Sequence, residues 1–340
     1  MAKKVNTAKT YAKVKPLKQD PATLKVRNML VLLMFIGGLL ILDRILFTGL
    51  HAFNATTTQG KESIPQAINT NAQMYIFGDS RAEWQYDPNI FKQHTGMTCF
   101  NAGAESQDIY YYSMLADLIQ AQHKPKVFLV NISLDDLMGE LNRYAILNVM
   151  APYIDDSEVV KDIVLGQTWS LEHASGDYEH AWQRSVHFQI LTCARFNAKF
   201  YDMVCQVLGR DPDTNDGYSP HEMPYQQLTI WRYHKAIDHD AYAELGNFIK
   251  RAHRDGIKVV FCLAPYYRGD TAFKMRDDEL FYFTVFKMAA EEFKVPFITI
   301  GDDDDERFKS KAYYTDVEHL NAKGAAIFST IAAQKLRSYL

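Results

Sequence analysis

Cysteine is scarce in this chain of 340 residues, and the four present, Cys99, Cys193, Cys205 and Cys262, have a spacing that fits no zinc-binding pattern. A zinc module is therefore excluded as the organising element. No internal repeat occurs, so a solenoid or propeller is excluded as well. Low complexity is confined to Asp302-Asp303-Asp304-Asp305-Glu306, which lacks the spacing and the glycine of an EF-hand and reads as a solvated acidic loop. Acidic residues are almost missing from one end, where residues 1–27 hold only Asp20 against Lys3, Lys4, Lys9, Lys13, Lys15, Lys18, Lys25 and Arg27.

That basic arm runs directly into an apolar stretch, which favours a membrane over a nucleic acid as its partner. The uninterrupted run Met29 to Leu42 is short for a span of about 20 residues. It reaches that length only if Asp43 and Arg44 sit near the outer interface, pairing or snorkelling, with Ile45 to Leu50 beyond them. The run is apolar on every face, unlike a helix with one buried stripe. No small-x-small cleavage site follows Leu42 and the basic region is long, so an uncleaved signal-anchor is expected rather than a signal peptide. The Lys and Arg excess places the N-terminus in the cytoplasm and the rest outside, in the periplasm or at the cell surface. Disulfides are permitted there. Cys99 and Cys262 lie in strand-like apolar runs and read as buried, while nothing in the sequence establishes a Cys193–Cys205 pair.

The expected organisation is a cytoplasmic arm (1–27), a transmembrane helix (28–50), a polar linker (51–70) and a folded domain (71–340). Strand-like runs at Met74 to Phe77, Val127 to Ile132, Val259 to Ala264 and Pro296 to Ile300 alternate with helix-like segments at 106–122, 241–254 and 278–293. Such alternation predicts an α/β fold, a three-layer sandwich around a mainly parallel sheet. Between about 140 and 235 it fails, and Trp169, Trp182, Trp231, His173, His180 and His187 mark an aromatic-rich insertion. The insertion lines a groove for a carbohydrate or acyl group, or is a satellite core under a cap; the sequence leaves both open.

Two segments carry chemistry. Ser80 follows the first strand in Gly78-Asp79-Ser80, where a parallel sheet collects its ligand sites, although a serine at a helix start also serves as a cap. Far downstream, Asp316 and His319 stand three apart before Asn321-Ala322-Lys323-Gly324 opens the last helix. A serine hydroxyl becomes a nucleophile when a base takes its proton, and the imidazole base must be held by a carboxylate. The three residues supply those parts.

Together the Gly-Asp-Ser turn and the Asp-x-x-His-x-Asn-x-x-Gly run resemble the SGNH/GDSL hydrolase superfamily. The resemblance implies a triad of Ser80, Asp316 and His319, and an oxyanion hole using the amides of Ser80 and Gly103, the latter in Phe100-Asn101-Ala102-Gly103. Its third block normally ends Gly-x-Asn-Asp, whereas this chain reads Val130-Asn131-Ile132-Ser133-Leu134-Asp135-Asp136. Asp135 stands where the donor Asn belongs, and an ionised carboxylate cannot donate. Either Asp135 is held protonated, or Asn131 or another donor substitutes, or activity is reduced. The overall plan is similar to membrane-anchored members that partner membrane-bound O-acyltransferases. It implies a serine acyltransferase or esterase acting on O-acyl groups, chiefly acetyl, of a cell-surface polysaccharide, without cofactor or metal. The alternative is a catalytically weak glycan-binding or scaffolding partner of an integral membrane O-acyltransferase.

Overall fold

The computed structural model describes residues 21–56, 64–133, 136–137, 147–153, 156–164, 216–226, 237–269 and 276–340. The chain divides into two compact units, Met1–Gly49 and Leu50–Leu340. Helix α1 (Pro21–Thr56) contains the 22-residue stretch Lys25–Leu46, which is long and apolar enough to cross a membrane and has none of its surface buried by protein. At 1.5 Å per residue it spans about 33 Å, against a hydrocarbon core of about 30 Å. The two charges that interrupt its apolar character pair with each other, Arg44 Nε lying 2.9 Å from Asp43 Oδ2.

The larger unit begins earlier than the composition suggests. Within the stretch expected to be a linker, α2 (Ile64–Asn69) is a helix whose Ile64 and Ala67 are buried in the core. Six residues are too few to show a helical period, which hides such an element in the sequence. Five parallel strands follow among the described residues: β1 (Met74–Phe77), β2 (Cys99–Asn101), β3 (Val127–Asn131), β4 (Lys258–Leu263) and β5 (Phe297–Thr299), in the order β2-β1-β3-β4-β5. This is an α/β fold with the strand order of a doubly wound sheet.

Alternate strand residues point to opposite faces, and the structure sorts them into two cores. Tyr75, Phe77, Phe128, Val130 and Phe261 enter one, where α5 (Ile109–Gln122), α6 (His239–Arg254) and α7 (Arg276–Phe293) pack. Met74, Ile76, Leu129, Val260 and Cys262 enter the other, beneath α4 (Pro88–Thr95) and α8 (Ala322–Leu336). The expected three layers are thus present. Helix α6 shows why the faces form: Ala241, Leu245, Phe248, Ile249 and Ala252 recur at helical spacing and are buried, and Asp238 caps the first turn by accepting from the amides of Asp240 and Ala241. Cys99 and Cys262 are buried free thiols. Cys193, Cys205, and the tryptophans and histidines named in the 140–235 insertion lie outside the described residues.

In this topology the chain leaves β1 towards β2 and later returns to its other side as β3. The carboxyl end of β1 therefore sits at the switch point of the sheet, where ligand sites of open α/β sheets form.

Candidate active site

The residues after β1 make a tight descent into helix α3 (Ser80–Gln85). Gly78 has φ of 143°, and a Cβ there would lie 2.9 Å from the Cβ atoms of both Ala82 and Asn131, so only glycine fits. Asp79 is the N-cap, its Oδ1 accepting from the Arg81 amide at 2.9 Å and from Asn131 Nδ2 at 3.2 Å. Ser80 thereby begins the helix at the carboxyl edge of the sheet, where a backbone amide has no intrahelical acceptor.

The loop before α8 is closed by an antiparallel bridge between Tyr314 and Leu320. Inside it, Asp316 Oδ1 accepts from the amides of Glu318 (2.8 Å) and His319 (2.9 Å). Asn321 caps α8 by accepting from the amides of Lys323 and Gly324. A side chain on Gly324 would collide with the carbonyl of Tyr313. The spacing from Asp316 to Gly324 is thus an arrangement of turn and cap as well as of chemical groups.

The structure brings Ser80, Asp316 and His319 into one chain of hydrogen bonds, although Ser80 and His319 are 239 residues apart. Ser80 Oγ lies 2.9 Å from His319 Nε2, and His319 Nδ1 lies 2.9 Å from Asp316 Oδ2. Burial pushes the Asp316 carboxyl up. The hydrogen bond from His319, that residue's charge, and the Glu318 and His319 amides outweigh burial and hold the carboxyl below its ordinary value. An ionised Asp316 fixes Nδ1 as the protonated nitrogen and leaves Nε2 to accept from Ser80.

Two of the expected oxyanion donors are placed differently. The Gly103 amide donates to Asn101 Oδ1 at 2.9 Å, because Asn101 turns its side chain into the same bend. Asn131 has 0% exposure and bonds Asp79 through Nδ2 and the Tyr86 hydroxyl through Oδ1, so it supports the Gly78-Asp79-Ser80 turn. Asp135 lies outside the described residues. The Ser80 amide at the helix start is the remaining expected donor.

Several residues support the site; Arg81, next to Ser80, reads from the sequence as shaping the turn, and the others were not legible as such. Buried Asn101 donates to the carbonyls of Ala82 (2.7 Å) and Tyr86 (2.9 Å), closing the carboxyl end of α3. Arg81 has 1% exposure, donates to the Ala264 carbonyl (2.5 Å) and lies 3.8 Å over the ring of Tyr266, tying α3 to the loop after β4. Gln85 reaches the Glu318 carbonyl (3.1 Å), and the Tyr267 amide reaches that of Val317 (2.9 Å). The indole of Trp84 touches the imidazoles of His221 and His319. A serine with an aromatic four residues on was the one available signal; His221 had none.

No protein-family model and no curated protein sequence matches the chain. Solved structures similar to it include a catalytic mutant of an acetylxylan esterase from Geobacillus stearothermophilus, at 12% identity, covering 79% of this chain and 96% of that one with a TM-score of 0.41. A GDSL-like lipase from Bacteroides thetaiotaomicron is also similar, at 12% identity over 86% of this chain and 98% of that one, with a TM-score of 0.38.

Proposed function

We propose that this chain is a serine esterase or O-acyltransferase of the SGNH/GDSL type, working through an acyl-Ser80 intermediate. The observation that carries the reading is the unbroken hydrogen-bond chain from Ser80 through His319 to buried Asp316, at the switch point of the sheet. Ser80 Oγ attacks the carbonyl carbon of an ester while its proton passes to His319 Nε2. The resulting imidazolium is held by Asp316 and protonates the departing alkoxide, leaving the acyl group on Oγ. A water molecule or a sugar hydroxyl then attacks the acyl-enzyme, loses its proton to Nε2, and Ser80 recovers that proton as it leaves. Helix α1 anchors the chain in a membrane, the larger unit faces outward, and the acyl group is an O-acetyl of a cell-surface polysaccharide. An integral membrane O-acyltransferase is a partner in the transfer version of this reading.

A second reading is favoured by one observation. The Gly103 amide is engaged by Asn101 and Asn131 is buried, so among the described residues two of the expected donors are committed elsewhere. Loss of one such donor typically costs about 10²–10³ in rate. That favours a weakly catalytic glycan-binding or scaffolding partner of the same acyltransferase.

Hydrolysis of 1-naphthyl acetate by the detergent-solubilised full chain separates the two. The enzyme reading expects turnover that falls by about 10³-fold or more in Ser80→Ala and in His319→Ala. Equal rates in the wild type and both variants would sink it.

A further inference from the structure

Trp84 lies one helical turn after Ser80 on α3 and is half-buried. Its indole packs on His221 with ring centroids 3.9 Å apart and planes inclined by 24°, and on His319 at 4.6 Å and 47°. The segment 216–226 that carries His221 is laced to the elements around the site. The Asn101 amide donates to the Asp216 carbonyl (2.9 Å), the Ser219 amide to that of Glu83 (3.2 Å), the Ala322 amide to that of His221 (2.7 Å) and the Gln226 amide to that of Thr315 (2.7 Å). His221 is therefore a fixed wall behind the indole, and the indole is a fixed wall beside the imidazole that faces Ser80.

An aromatic ring attracts a cation within about 6 Å of its centroid, and tryptophan does so best. The imidazole of His319 lies inside that distance, and it becomes a cation at the step in which Ser80 gives up its proton. We propose that Trp84 is a positioning residue for His319 that also stabilises its protonated form, with His221 as the backing ring that keeps the indole in place. This rests on the serine-enzyme reading above. Among the described residues, the carboxylates acting on the stack are Asp316 at Nδ1 of His319, and Glu105, whose charge acts on His221. Asp79 is committed to the Arg81 amide and Asn131. Burial lowers the pKa of His221, a charged His319 lowers it further, and Glu105 and Asp316 oppose both. The net direction favours a neutral His221 when His319 is charged, so the backing ring does not repel the cation through the indole.

The test is the rate constant for labelling of the detergent-solubilised full chain by a fluorophosphonate, measured between about pH 5 and 9. Wild type, Trp84→Phe and Trp84→Leu are compared, with folding checked by circular dichroism and thermal unfolding. If the indole favours the imidazolium, its loss lets His319 shed its proton at lower pH. The acid limb of Trp84→Leu should therefore move down by roughly half to one and a half pH units, and its plateau rate should fall roughly 2- to 30-fold, with Trp84→Phe between. A folded Trp84→Leu chain whose acid limb coincides with the wild type's overturns the proposal. Should the leucine variant not fold, a Trp84→Phe limb coincident with the wild type's overturns it equally. Failure of the underlying reading is distinct: the wild type does not label, or labelling survives Ser80→Ala.

Discussion

Asp316 is gripped by two backbone amides as well as by the imidazole, so one carboxylate both shapes its loop and orients His319. Replacing it by Asn keeps the size but reverses the preferred tautomer of the histidine, and kcat is expected to fall by about 10⁴-fold. The same contacts make it a stability group. Because its folded carboxyl is held below the ordinary value, its stabilisation is full above about pH 4, the unfolded value, and is lost as pH falls through the folded value. Thermal unfolding followed from neutral to acid pH should show a shallower decline in Asp316→Asn than in the wild type; identical slopes would contradict this. Ser80, Asp316 and His319 were visible through the Gly78-Asp79-Ser80 turn after a strand and the Asp-x-x-His-x-Asn-x-x-Gly run, whose spacing is local in the sequence. Trp84, His221 and Asn101 stayed hidden because their roles depend on neighbours more than a hundred residues away or on a bend that composition does not announce.

Helix α3 has only six residues, too short to be stable by itself, and its position is set from outside. Asn101 closes its carboxyl end, Arg81 and Gln85 tie it to the loops after β4 and before α8, and Gly103 packs so closely that a Cβ would lie 2.6 Å from Ala82 Cβ and from the Glu83 amide nitrogen. Asn101→Ala strips the Ala82 and Tyr86 carbonyls of a buried donor and is expected to cost about 2–4 kcal/mol. Gly103→Ala forces backbone apart and is expected to cost about 1–3 kcal/mol. Denaturant unfolding checks both; a loss under about 0.5 kcal/mol in either, the range of an ordinary surface change, would contradict the packing described. At this scale the long alternating elements were legible, because strands buried on both faces and amphipathic helices carry their pattern locally. Helix α2 was not, and neither was the segment 216–226, whose place follows from backbone bonds to β2, α3 and the loop before α8.

The parallel sheet, the two cores and the site at the switch point form one plan, in which β1 and the loop before α8 meet although they lie at opposite ends of the domain. The order of strand and helix signals made the parallel sheet with helices on both faces readable, but not the strand order that puts β1 at the switch point. The arm and apolar helix α1 add a membrane reading with its own test. A reporter active only outside the cytoplasm, fused near residue 60, should be active, and activity of a cytoplasmic reporter there would reverse the proposed topology. The central claim is chemical, that Ser80 is made nucleophilic by His319. Its most direct measurement is fluorophosphonate labelling of the full chain with the adduct mapped by peptide mass spectrometry. The account predicts a single adduct on Ser80 that disappears in Ser80→Ala and is strongly slowed in His319→Ala. A folded wild-type chain that takes up no label, or takes it up elsewhere, would contradict it.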